Sequence, residues 1–308
     1  MFSYLIRRLF TSILVLFGIS MLVFSVIHLV PGDVTMAILG RQKVTEEKVA
    51  ELRKQLGLND PLYVQYGRYL TNALHGDLGN SIRTYQPVSQ SIGEQLPSTV
   101  TLALSALLVA LTIGGVLGML AALWHGSWVD TFVMGLSVSG LSIPTFWMGL
   151  LLILFFSVKL KLFPSISNGS TPADLFLPAL TLGLPEAAVV ARMVRASMLD
   201  VLNKDYIVTA RAKGLPERMV ILKHALRNAL IPVVTFLGLQ MAYLLGGATI
   251  VETMFARQGI GRLAVQSIFN RDYPMVQGVV LVTATIYVLI NTFTDITYVL
   301  LNPKIRLK

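Results

Sequence analysis

The sequence predicts an all-α membrane protein with six transmembrane helices, a polar loop between the fourth and fifth, and a small helical cap between the first and second. Three observations carry that prediction. Apolar residues make up 54% of the chain and charged residues only 13%, about half the charged share of a soluble domain. The apolar residues gather in stretches of the length a bilayer requires, about 20 residues each. The basic residues behind the net charge of +9 collect in a few connecting segments, as they do beside membranes, so nucleic acid is not the partner they suggest.

The first stretch, Leu9–Val30, follows Arg7 and Arg8. It exceeds the core of a cleaved signal, about 7–15 residues, and no small-x-small site follows it, so it reads as a retained span. The arginine pair reads as ordinary positive flanking. The second span is Val100–Leu123, the third Thr131–Val158 with an interruption at Pro144, and the fourth Leu175–Val194. The fifth is Ala229–Val251 and the sixth Val276–Leu301. The chain thus divides into residues 1–30, an outer cap 31–97, a core 98–301 with its loop at 195–228, and a tail 302–308.

Charge sets the orientation. Arg192, Arg195, Lys204, Arg211, Lys213, Arg218, Lys223 and Arg227 crowd the loop after span four, and Lys304, Arg306 and Lys308 follow span six. Segment 31–97 carries seven basic and seven acidic residues and is neutral. The positive-inside rule then places both termini and the 195–228 loop in the cytoplasm of a multi-pass protein. In the outer segment, "VTEEKVAELRKQLGL" reads as an amphipathic helix capped by Thr45, with Glu46 and Glu47 in its first turn and Gly57 at its end. A second helix starts at Asp60-Pro61 and spaces Tyr63, Tyr66 and Tyr69 as a stripe. That stripe is either the core of the cap or a docking surface.

Several chemistries are excluded. With no cysteine there are no disulfides, thiolate metal sites, cysteine nucleophiles or acylated-cysteine anchors. No GxxxxGK[ST], HExxH or GxSxG occurs, and "GIG" at 259–261 follows no βαβ pattern. His28, His75, His125 and His224 have no metal spacing. The chain reads as a non-enzyme with no cofactor of its own.

Ionisable residues inside spans are costly, so Glu186 and Asp295 are functional candidates. Glu252 and His28 sit nearer span ends. Asp295 is expected to contact Asn291, Thr292 or Thr294, and Glu186 to make an interhelical bond or line a polar cavity. Used as proton sites, the two would make a self-contained proton-coupled carrier. Gly114 and Gly118, extended by Ala122, permit close helix packing within the chain or between subunits, and Gly246 and Gly247 offer the same. Pro144 and Pro185 can kink their spans.

The 195–228 loop resolves into two helices. "VLNKDYIVTARAKG" ends at Gly214 as a left-handed cap, and "LPERMVILKHALRN" restarts with Pro216 near the first turn and Glu217 beside the positive helix end. Tyr206, Ile207, Ala210 and Leu215 give it an apolar side. That side suits either anionic lipid or a groove on a partner.

Residues 205–234 resemble the cytoplasmic loop of ABC importer permeases, whose general pattern is E-A-A-x3-G-x9-I-x-L-P. Val208, Thr209 and Ala210 occupy the E-A-A positions, and Gly214 the glycine. Val208, His224 and Arg227 depart from that pattern but match the dipeptide/oligopeptide/nickel subfamily, which reads "DY-x-x-TARAKG" and "HALRNA-x-x-PV". "VPGD" at 30–33, "RDYPMVQG" at 271–278 and "LLNPKIR" at 300–306 agree, with departures at Val34 and Gln258. The resemblance runs the length of the chain. It implies a bacterial inner-membrane permease subunit for peptides or a related small solute. The loop becomes a coupling helix, with Asp205, Tyr206, Thr209, Ala210, Arg211, Lys213, Gly214, Leu215 and Pro216 lodged on an ATPase. It also implies a homologous second permease, two ATPase subunits that bind ATP and Mg, and an external substrate-binding protein.

Overall fold

A computed structural model describes residues 2–29, 59–167 and 171–301. The Thr45-capped helix, "VPGD" and the basic tail lie outside the described residues. Helix α1 is Phe2–Leu29 and α2 is Leu62–Leu74. Helix α3 runs Val88–Leu123 through a π-helical turn at Ala110–Gly114. Helices α4, Trp128–Ser142, and α5, Thr145–Lys159, follow. Helix α6 is Pro172–Leu202 and α7 Asp205–Ala212. Helix α8 passes from Glu217–Met219 through the π segment Val220–Leu226 into Arg227–Met254. Helices α9, Ile260–Phe269, and α10, Tyr273–Leu301, complete the described residues.

Among the described residues five helices are long and apolar enough to cross a membrane, and the α4–α5 pair makes six if taken as one span. That pair is bent by 106° at Ile143-Pro144. It begins beside Arg195, near the end of α6, and its far end meets the opposite pole of the bundle, where Ser167 N–H donates to the Phe255 carbonyl at 2.7 Å. It therefore crosses as one broken span. Pro144 removes an N–H from the helical ladder and causes the break. Pro178 and Pro185, by contrast, are accommodated inside the continuous α6.

Helix α3 starts at Val88, well before the apolar stretch that marks span two. Its first turns are polar in sequence, and packing holds them: Val88 and Ile92 are buried with Ile260, Met275 and Val279 of α9 and α10. Helix α6 begins with a capping box. Asp174 N–H donates to the Thr171 hydroxyl, Thr171 N–H returns to the Asp174 carboxylate, and Pro172 follows the cap.

Helix α6 is the hub. Its apolar window is 56% buried, against 11% for α1. Helix α3 lies on it so closely that a side chain at Gly114 would run into the Ala187 carbonyl, and one at Gly118 into the Ala191 carbonyl. From the other side, Gly183 faces the Ala106 carbonyl. Of the two possibilities for these glycines, packing within the chain is the one observed. Gly246 has open space around it. Helix α1 attaches only to the outside of the bundle. Its Ser12 hydroxyl lies 3.0 Å from that of Thr292, and Gln277 donates to the Val23 carbonyl at 3.1 Å. Of the tyrosine stripe, Tyr66 and Tyr69 pack on Phe24 of α1, while Tyr63 is exposed. Burial, and next the neighbouring Tyr66, push the Tyr69 phenol up to about 12.

The α3–α6 contact can be tested with adjacent glycines. Gly114→Leu is expected to destabilise the bundle by about 1–3 kcal/mol or more through overpacking. Gly115→Leu, which meets open space, should stay within about 0.5 kcal/mol of wild type. Melting of the detergent-purified chain, followed by size-exclusion fluorescence, reads the difference.

Candidate functional site

The candidate site is the polar turn between α6 and α8. Helix α6 continues past the apolar run to Leu202, and α7 begins only at Asp205. The single helix predicted from Val201 is thus broken at Asn203-Lys204, where the Asn203 side chain donates to the Leu199 carbonyl at 3.0 Å and closes α6. Helix α7 ends as its sequence predicts. Gly214 stands at φ +73°. Its N–H donates to the Arg211 carbonyl at 2.9 Å, and Leu215 N–H to the Ala210 carbonyl at 3.4 Å. These two bonds form a Schellman motif, with Leu215 packed back toward Ala210. A Cβ at Gly214 would meet nothing within 4 Å, so the demand for glycine is conformational and not steric.

Pro216 takes the N-cap position of the next helix and Glu217 its first turn. Arg211 spans the turn and holds Glu217 at 2.6 Å. That hydrogen bond keeps the exposed Arg211 guanidinium above its ordinary range. Asn228 of α8 donates to the Tyr206 hydroxyl at 3.1 Å. Turn, staple and tether make α7 a rigid finger.

The apolar side of α7 faces inward. Ile207 and Ala210 are buried with Val194 and Met198 of α6 and with Val220, Ala225 and Ala229 of α8. Leu215 is partly buried with them. Of the four residues assigned to an outward apolar side, only Tyr206 is exposed. The surface that the finger offers is instead Asp205, Tyr206, Val208, Thr209, Arg211, Lys213, Gly214 and Pro216. It is mixed and basic.

The intramembrane candidates do not meet. Glu186 is buried in α6, with Gln240 of α8 as its polar neighbour. Asp295 pairs with Arg8 of α1, and not with Asn291, Thr292 or Thr294 as predicted. The correction has a simple cause. Asp295 sits near the end of α10 that lies beside the start of α1, where an arginine is in reach. Asn291 is partly buried one turn away.

Three other carboxylates were missed as partners because each pairs across long sequence separations. Glu252 is fully buried. It accepts from the Thr99 hydroxyl at 2.5 Å, Gly261 N–H at 2.9 Å and Arg262 N–H at 3.1 Å. It thereby caps α9, and a side chain at Gly259 would displace its carboxylate. The "GIG" triplet is therefore a packing feature. Asp272 accepts from the Ser81 hydroxyl and from Ile82 N–H, pinning the 77–87 turn to the start of α10. Asp130 accepts a fork from Arg195 at 2.5 and 2.7 Å. The signal available in the sequence was position: Asp130 and Asp272 both flank helix starts, where acids are favoured. A groove of about 380 Å³ lies among α8, α9 and α10, with Leu245, Gly246, Ile260, Val280 and Tyr287 in its apolar wall.

A family model described as "Binding-protein-dependent transport system inner membrane component" matches residues 114–307. Its N-terminal companion, a binding-protein-dependent transport system membrane component, matches residues 1–103. The chain is similar to the glutathione transport system permease protein GsiC of Escherichia coli, with 45% identity over 100% of both chains. The GsiC proteins of Shigella flexneri and Salmonella paratyphi A are each 44% identical, again over 100% of both chains. Among solved structures, an amino acid ABC transporter with histidines has a TM-score of 0.53 at 15% identity, covering 68% of this chain and 93% of that one. That likeness is one of fold.

Glu252→Ala removes the cap of α9 and leaves the Thr99 hydroxyl and two amides without their acceptor. It is expected to cost about 1–3 kcal/mol or more and to open the 255–272 segment to protease. Limited proteolysis with mass mapping checks this, and equal cleavage of variant and wild type would contradict it.

Proposed function

We propose, from the premise that this chain belongs to the family of binding-protein-dependent transport system inner membrane components, that α7 is its contact with the ATPase and that glutathione or a peptide of similar size is its cargo. Membership makes the chain a multi-pass permease subunit of an ABC importer, a transport component and not an enzyme. The finer reading adds a homologous second permease completing the pathway, two ATPases binding ATP and Mg, and an external binding protein delivering substrate. It places both termini and α7 in the cytoplasm.

The observation that carries this reading is the finger. A helix bearing load needs a fixed angle, and here the Schellman turn at Gly214, the Arg211–Glu217 staple and the buried Ile207 fix it on three sides. Of the residues that match "DY-x-x-TARAKG", all but Ala210 are exposed. Full-length identity to glutathione permeases supports the cargo. The proton-carrier alternative draws nothing from the geometry: Asp295 is held in an ion pair with α1, while Glu186 is buried between a different pair of helices, facing Gln240.

Gly214 supplies the test. Left-handed backbone costs a non-glycine residue about 1–2 kcal/mol, and asparagine tolerates it best. Gly214→Asn should keep ATPase co-purification near wild type, while Gly214→Val, β-branched, should reduce it several-fold. Equal recovery with Gly214→Val would overturn the assignment of α7. In proteoliposomes with all subunits, glutathione uptake should require ATP. Uptake by this chain alone, driven by a pH gradient, would overturn the importer mechanism.

A further inference from the structure

We infer that the Arg195–Asp130 pair is the tie that passes movement of the α7 finger to the broken span α4–α5, which makes both positioning residues in the transport cycle. The inference rests on the reading of α7 as the ATPase contact. Arg195 sits on α6 beside Val194 and one turn before Met198, the residues that bury Ile207 of α7. The same stretch of α6 is locked to α3 at Gly114 and Gly118. Helices α3, α6 and α7 therefore share one packed block at this pole.

Helix α4 joins that block through a thin seam. Its inward residues are Asp130, Val133 and Ser137, with Gly140 near Ala188. Its bulk, including Phe132, Leu136 and Val138, is exposed. Little apolar surface holds α4 on α6, so the specific hold is polar. The Asp130 side chain is 7% exposed and receives both nitrogens of the Arg195 fork, at 2.5 and 2.7 Å. Gly126 N–H at 3.1 Å and the half-exposed His125 ring at 3.0 Å complete its shell. A bidentate pair resists rotation as well as separation. Beyond this anchor, α4 runs to the 106° bend, so whatever turns Arg195 turns the lower arm of the broken span.

The chain has no cysteine, so labels can be introduced without background. Spin labels at Trp128→Cys, at the exposed start of α4, and Lys204→Cys, at the exposed base of α7, report whether the two move together. In the assembled transporter in nanodiscs, the label separation should be the same without nucleotide and in the ATP–vanadate-trapped state. In Asp130→Asn it should differ between those states. The stimulation of ATP hydrolysis by the binding protein loaded with glutathione should fall about tenfold while unstimulated hydrolysis persists. Arg195→Lys, which keeps the charge and loses the fork, should fall between, and it carries the test if Asp130→Asn does not assemble. A wild-type separation that changes on trapping, or full stimulation in the variants, overturns the tie. Failure of the ATPase contact itself shows separately, as undiminished ATPase recovery with Gly214→Val.

Discussion

The carbonyls of Ala187 and Ala191 occupy the space that side chains at positions 114 and 118 would need. This contact governs the rest of the bundle. In a bilayer the hydrophobic effect does not press helices together, because lipid is as apolar as leucine. Close backbone approach supplies dispersion instead, and glycine permits it. With α3 and α6 fixed at that distance, α6 becomes the axis on which α4, α5, α7 and α8 are arranged. A motion applied to its lower end cannot be absorbed between α3 and α6, so it must appear elsewhere.

The polar groups follow one rule. Thr171 and Asp174 begin α6, Glu252 begins α9, Asp272 begins α10 and Asp130 lies in the first turn of α4. Each carboxylate or hydroxyl sits where a helix leaves amide donors unpaired, so each buried charge has ready partners. Asp295 and Arg8 form an ion pair at an opposite kind of site, a late turn of one helix beside the start of another. The cost of charge in the membrane is offset by placing it where backbone or a counter-ion already needs it.

Much of this was legible in the sequence. Apolar runs located the spans, Pro144 located the break, and Gly214 located the end of α7, because each depends on local geometry. What could not be read was pairing at a distance. The polar first turns of α3 look like loop until Val88 and Ile92 find α9 and α10. The inward face of α7 looks free until α6 and α8 cover Ile207. Asp130 and Arg195 are unremarkable residues 65 positions apart until the fold makes them neighbours. Helix α9 was missed entirely, since its ten residues are too few to register as a span and its cap comes from Glu252 on another helix.

The bend at Pro144 also has an electrical consequence. Proline has no N–H to return to the Gly140 carbonyl, so the helical ladder offers that carbonyl no donor from four residues on. Hydrocarbon cannot answer it, and irregular backbone survives at that depth only against protein or water. Leu141, Ser142 and Pro144 are exposed around it. This side of the bundle is therefore a notch that must face another protein surface or water, and not the hydrocarbon of the bilayer.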